Sequence, residues 1–109
     1  MIKVCVPVTE QEQVDPRWGR AQRVAVVEAG DDGIQRWQVF DVGWDRLHDE
    51  GTEGSHHARV VRFLRTHEIE MVVAAHMGAP MQNTLRKMGL RVVLDAAGDA
   101  RSAVGGTLS

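Results

Sequence analysis

Residues 71–94 read MVVAAHMGAPMQNTLRKMGLRVVL, and this stretch decides the fold. Met71–Ala75 is apolar at every position, the pattern of a strand covered on both faces of a sheet. Pro80 falls where the first turn of a helix tolerates a residue without an N–H, and Gly89 stands where a left-handed residue ends one. Between them Met81, Leu85 and Met88 make one apolar stripe at helical spacing. Arg91–Leu94 is the next strand. Strand, helix, strand predicts a βαβ unit with parallel strands and a right-handed crossover.

Working upstream, a helix is expected from about Ser55. His57, Val60, Val61 and Leu64 share one face, Arg59, Arg62 and Thr66 lie opposite, and His67 closes the last turn, where a cation suits the helix dipole. Asp41–Glu53 is polar and irregular, with Gly43, Trp44 and Gly51, and reads as an exposed, mobile connection. Val24–Glu28 and Ile34–Phe40 flank AGDDG, strong turn chemistry for an antiparallel hairpin. In the second of these runs Trp37 and Val39 alternate with Arg36 and Gln38, as expected of a strand at a sheet edge with one wet face. Ile2–Val8 is apolar at almost every position, and so a strand buried on both faces. Downstream, Asp99 is placed to cap a short last helix through Val104. The order β-β-β-α-β-α-β-α predicts an α/β fold: a three-layer α/β/α sandwich with a five-stranded mixed sheet and one strand antiparallel. No repeat or linker divides residues 1–109, which read as a single domain.

Composition narrows the function classes. The 109 residues carry 13 Lys+Arg and 15 Asp+Glu, a formal net charge of −2, so no basic field recruits nucleic acid. Cys5 is the only cysteine; it reads as a small core residue, and neither an intramolecular disulfide nor a multi-cysteine zinc site can be built. No apolar run approaches the roughly 18 residues of a membrane span, and no targeting segment is evident, so a cytoplasmic protein is expected. Nucleophile elbow, P-loop, dinucleotide fingerprint and HExxH are all absent, and the first strand carries no carboxylate for a two-metal site.

In open sheets of this kind ligands gather at the carboxyl ends of the strands. Three segments should meet there: the loop after the first strand, with Asp15, Arg17, Trp18, Gly19 and Arg20; the start of the first helix, with His56 and His57; and the turn His76-Met77-Gly78-Ala79-Pro80. The helix opened by Gly78, Ala79 and Pro80 has no side-chain oxygen to cap it, so its first amides and its dipole favour an anion. His76 at the strand exit, with Arg17 and Arg20 adding charge, predicts a pocket for a small anion or an anionic metal cluster. His57, on the apolar helix face, suits a partly buried hydrogen-bonded histidine as well as a ligand; His48 and His67 read as solvated.

The segments IKVCVPVTE, QVDPRWGRAQRVAVVE and VVAAHMGAPMQNTLRKMGLRVVL resemble the dinitrogenase iron–molybdenum cofactor biosynthesis family, the NifX and NafY type that also supplies the C-terminal domain of NifB. The resemblance spans almost the whole chain. It implies a ribonuclease H-like motif within the sandwich and a non-catalytic role: binding or carrying an anionic iron–sulfur or iron–molybdenum cofactor precursor, exchanged with cluster donor and acceptor proteins. It maps the family histidine onto His76 and the loop signature onto Asp15, Arg17, Gly19 and Arg20; together with the residues read above, cofactor binding is expected at His76, Gly78, Arg17, Arg20 and His56, and metal ligation at His76 and His57. The family turn reads His-x-Gly-Pro-Asn, whereas here Pro80 is displaced by one position, and Ser55, His56 and His57 replace a Gly-rich helix start. The alternative is an interaction or regulatory module of the same fold without a cluster, anchored by Trp44 and Trp18, with the bare edge near Trp37 open to a second copy.

Overall fold

The computed structural model describes residues 1–108, apart from the side chain of Glu53. Five strands form one sheet: β1 (Ile2–Val8), β2 (Arg23–Gly30), β3 (Gly33–Asp41), β4 (Met71–Val73) and β5 (Arg91–Val93). Their spatial order is β3-β2-β1-β4-β5. β2 runs antiparallel to both neighbours, while β1, β4 and β5 are mutually parallel. This is the expected mixed sheet with a single reversed strand in a ribonuclease H-like arrangement.

Four helices cover the sheet: α1 (Trp44–Leu47), α2 (Glu53–Thr66), α3 (Ala79–Lys87) and α4 (Ala100–Gly106). The strand period of two sends alternate residues to opposite cores. Cys5, Val24, Val26 and Val72 join Val60 and Leu64 of α2 and Leu85 of α3 on one face. Val4, Val6, Val27 and Val73 join Ala100 and Val104 of α4 on the other. Helices on both faces make the third layer, and β4 and the Val4–Val8 stretch of β1 are apolar throughout because neither of their faces meets water.

The loop after β1 is tied down by backbone pairing. Asp15 N–H donates to Pro7 C=O at 2.9 Å and Val14 N–H to Gly98 C=O at 2.8 Å. The chain therefore doubles back across the end of β1 and delivers Arg17–Arg20 to the carboxyl edge of the sheet. Trp18–Arg20 there form a single 3-10 turn.

Several expectations are corrected. Asp41–Glu53 is not simply an open loop: Trp44–Leu47 is helical, and Trp44 is 1% exposed. Its ring packs edge-on against Trp18 at 5.4 Å and Phe63 at 5.8 Å, so it anchors the core and offers no surface to a partner. Trp18 is likewise buried. The inward stripe of α2 keeps Val60 and Leu64 as expected but takes in His56 instead of His57 and Val61. His56, Val60 and Leu64 are buried, whereas His57 and Val61 are half-exposed. α2 also begins two residues early, with Thr52 accepting from Ser55 N–H and Ser55 Oγ accepting from Thr52 N–H. Asp99 caps α4 as expected, accepting from Ser102 N–H at 2.9 Å. β3 is an edge strand, with Val39 44% exposed.

His67 is half-buried rather than fully solvated. Its ring lies 4.6 Å from that of Phe40 and 4.4 Å from that of Phe63, and burial, then the charge of Lys3, push its pKa below the ordinary value. Burial lowers that of His56 as well. A histidine disfavoured as a cation by folding contributes stability above its unfolded pKa and loses it as pH falls. The melting temperature is therefore expected to decline as pH drops below about 6.5, with a shallower decline in His67→Phe. Melting curves across this range check it; a profile indifferent to His67 would contradict the packing.

Candidate functional site

The three segments expected to converge do so. A cleft of about 430 Å³ opens beyond the carboxyl ends of β1 and β4. One wall is the loop Pro16–Arg20, another the start of α2 with His56 and His57, and the third the turn from His76 to Met81. His48, just beyond α1, completes the rim. Four histidines and two arginines line this space, and none of its lining residues is acidic.

The turn after β4 sets the floor. β4 ends at Val73, Ala74 N–H still reaches Val93 C=O at 2.9 Å, and His76 emerges exposed. Gly78 is the N-cap residue of α3, with extended backbone and no side-chain cap, and Pro80 lies in the first turn. Uncapped first-turn amides with the positive end of the dipole attract negative charge. The far end of the helix carries Arg86 and Lys87, as the dipole favours there.

The two arginines differ. Asp15, 3% exposed at its side chain, accepts from Arg17 N–H at 2.9 Å and from the Arg17 guanidinium at 3.2 Å through each carboxylate oxygen. This hydrogen bonding and charge hold the Arg17 pKa above its usual value. Arg17 thus closes a local ring across Pro16, and its charge is largely offset. Arg20 is exposed and, among the described residues, pairs with no carboxylate. The uncompensated cation of the cleft is Arg20.

Hydrogen-bond logic fixes two of the histidines. Thr84 Oγ1 donates to Pro80 C=O, so its 2.9 Å contact with His57 Nε2 is one in which the imidazole donates. The lone pair of neutral His57 then lies on Nδ1. His56 Nε2 donates to Gly19 C=O at 2.7 Å, because a carbonyl can only accept. Its Nδ1 accepts from Arg59 Nη1 at 2.9 Å, because a guanidinium can only donate. Both ring nitrogens of His56 are engaged within the protein.

Sequence reasoning placed His76, Gly78, Arg17, Arg20, His56 and His57 together, and the cleft contains all six. It missed His48, whose ring packs edge-on 5.1 Å from that of His56. Among the described residues no three His, Cys, Asp or Glu side chains group to hold a metal ion. Cys5 is fully buried in β1, and burial pushes its thiol pKa up, which disfavours the thiolate a metal needs. The indole N–H of Trp18, on the cleft wall, is buried without a hydrogen-bond partner.

The sequence profile of a family described as "dinitrogenase iron-molybdenum cofactor" matches residues 1–108. The chain belongs to the dinitrogenase iron-molybdenum cofactor family. Among solved structures this family member superimposes on PH0822 with a TM-score of 0.77 at 15% identity, over 97% of this chain and 89% of that one. The apo form of the orange protein from Desulfovibrio gigas gives 0.71 at 21% identity, over 95% and 84%. TM1290 from Thermotoga, a candidate NifB protein assigned to the DUF35 family, gives 0.69 at 20% identity, over 98% and 87%. At these identities the likeness speaks for the fold. No curated protein matches the chain. No helix among the described residues is long and apolar enough to cross a membrane.

Proposed function

We propose that this protein is a non-catalytic, cytoplasmic carrier that receives an anionic iron–sulfur or iron–molybdenum cofactor precursor in the cleft and passes it to an acceptor protein. The observation that carries the reading is the chemistry of the lining: imidazoles, Arg20 and an uncapped helix start, with no carboxylate facing the space. An acid-free wall of this kind repels free divalent cations less by design than it favours negative charge. Family membership supplies the class of cargo.

The residues present fit such a cargo. A bare metal ion needs three or four protein ligands, and no such group is assembled among the described residues. A cluster whose coordination is largely completed by its own sulfide needs only one or two. His76, exposed at the strand exit, and His57, with its lone pair on Nδ1, are the imidazoles suited to this. Arg20 and the first turn of α3 neutralise charge.

The test is anaerobic reconstitution with iron, sulfide and molybdate, followed by desalting and elemental analysis. Wild-type protein is expected to retain metal and sulfide in fixed ratio, and His76→Ala to retain about tenfold less, the scale on which loss of one orienting contact acts in a metal site. Equal retention by the two proteins would remove His76 from the site.

A further inference from the structure

We infer that His56 and Arg59 are positioning residues: they lock the Trp18–Arg20 wall of the cleft onto α2 without touching the cargo through their hydrogen-bonding atoms. The inference rests on the carrier reading for what the cleft holds, and on hydrogen-bond geometry for the lock itself.

Three hydrogen bonds form one chain. His56 Nε2 donates to Gly19 C=O at 2.7 Å, Arg59 Nη1 donates to His56 Nδ1 at 2.9 Å, and the same Nη1 donates to Leu47 C=O at 3.2 Å. The path joins the 3-10 turn, α2 and the end of α1. His56 is 5% exposed, and with both nitrogens committed it has no lone pair left to offer a metal.

The buried ring of Trp18, packed against Trp44, anchors the start of the turn, but the Gly19–Arg20 peptide beyond it is weakly held otherwise. Trp18–Arg20 has no side-chain cap, and its internal bonds are Arg20 N–H to Arg17 C=O at 3.1 Å and a long Ala21 N–H to Trp18 C=O at 3.4 Å. Gly19 itself has an ordinary φ, and an added Cβ there would meet nothing within 4 Å. Neither backbone strain nor steric confinement therefore fixes this peptide; the imidazole does. Flanking anchors lie at Asp15–Arg17 on one side and at Trp44 N–H to Ala21 C=O, 3.1 Å, on the other. Between them the Gly19 carbonyl sets the plane of the Gly19–Arg20 peptide, and with it the direction from which Arg20 approaches the cleft. Arg59 fixes the imidazole in the tautomer that donates at Nε2.

The variants are His56→Phe, which keeps a ring and deletes both bonds, Arg59→Met, which keeps the stem and frees the imidazole, and His56→Gln, whose amide has one donor and one acceptor. Two readouts are taken: hydrogen-exchange protection of the Arg20 and Ala21 amides, and the rate at which metal bound from iron, sulfide and molybdate is lost on dilution. In His56→Phe and Arg59→Met protection should fall at these two amides while the β1 and β2 amides stay protected. Bound metal should leave about tenfold faster, the scale of one or two hydrogen bonds. His56→Gln should recover both. Unchanged protection and release in the first two variants would overturn the inference. So would loss of protection spread evenly over the sheet, the mark of a purely structural role. If wild-type protein takes up no metal, the carrier reading fails, and local protection at Arg20 and Ala21 alone decides whether His56 positions the turn. Should His56→Phe not fold, Arg59→Met carries the same test.

Discussion

Trp44→Ala is expected to lower stability by about 3–5 kcal/mol, the range for deleting a buried aromatic ring. A domain of this size has about 5–15 kcal/mol in total, so the variant should be partly unfolded or melt well below wild type. The ring is 1% exposed and bridges two others, Trp18 at 5.4 Å and Phe63 at 5.8 Å. α1 is only four residues long, and its N-cap, Gly43, has a left-handed φ of 62° and no side-chain cap. Such a helix has no stability of its own; it exists because Trp44 is driven into the core. Removing the ring should also loosen Trp18 and the cleft wall it belongs to. Urea denaturation measures the first effect, and a loss below about 1 kcal/mol, the scale of a surface change, would contradict the packing described.

Arg20→Glu is expected to cut metal retention by more than tenfold while leaving stability nearly unchanged. Arg20 is exposed and unpaired, so replacing it disturbs no packing. A carboxylate there would place negative charge in a space that otherwise has none at its lining. Cargo loading by the wild type should weaken with added salt, since the attraction is partly solvent-screened, and the variant should show less of that dependence. Arg17→Ala should behave in the opposite sense. It deprives the 3%-exposed Asp15 carboxylate of its partner and so lowers stability, while Asp15 does not line the cleft and retention should change less. Retention and melting measured side by side on the two variants separate these roles. Equal effects on both readouts would contradict the division between a pairing arginine and a free one.

Much of the architecture was legible because burial writes itself into periodicity. β1 spans Ile2–Val8 as read, since a strand covered on both faces is apolar almost throughout, here at every position but Lys3. The hairpin, the edge position of β3, the Asp99 cap and the convergence of the three loops followed from turn chemistry and topology. What escaped notice has no periodic signature. One tryptophan in a polar run gives no stripe, so α1 and the burial of Trp44 depend on contacts with residues far away in sequence. The start of α2 was missed because its reciprocal cap uses Ser55, where Glu or Gln usually marks the motif. The stripe of α2 was read with His57 in place of His56 because His56 is polar by type yet buried by virtue of its bonds to Gly19 and Arg59. His67, for the same reason, looked solvated and is packed between two phenylalanines. In the site, residue types were readable, but the division of labour was not. That Arg17 is offset, Arg20 free and His56 engaged depends on hydrogen bonds no spacing encodes.

In the proposed carrier the cargo sits in the acid-free cleft at the start of α3. Amide NMR spectra of the protein before and after anaerobic loading with iron, sulfide and molybdate test it directly. Resonances of Gly19, Arg20, His76, Gly78 and Met81 should shift or broaden, with those of α4 and β3 unmoved. Metal bound with the perturbation centred elsewhere, or no metal bound at all, would contradict it.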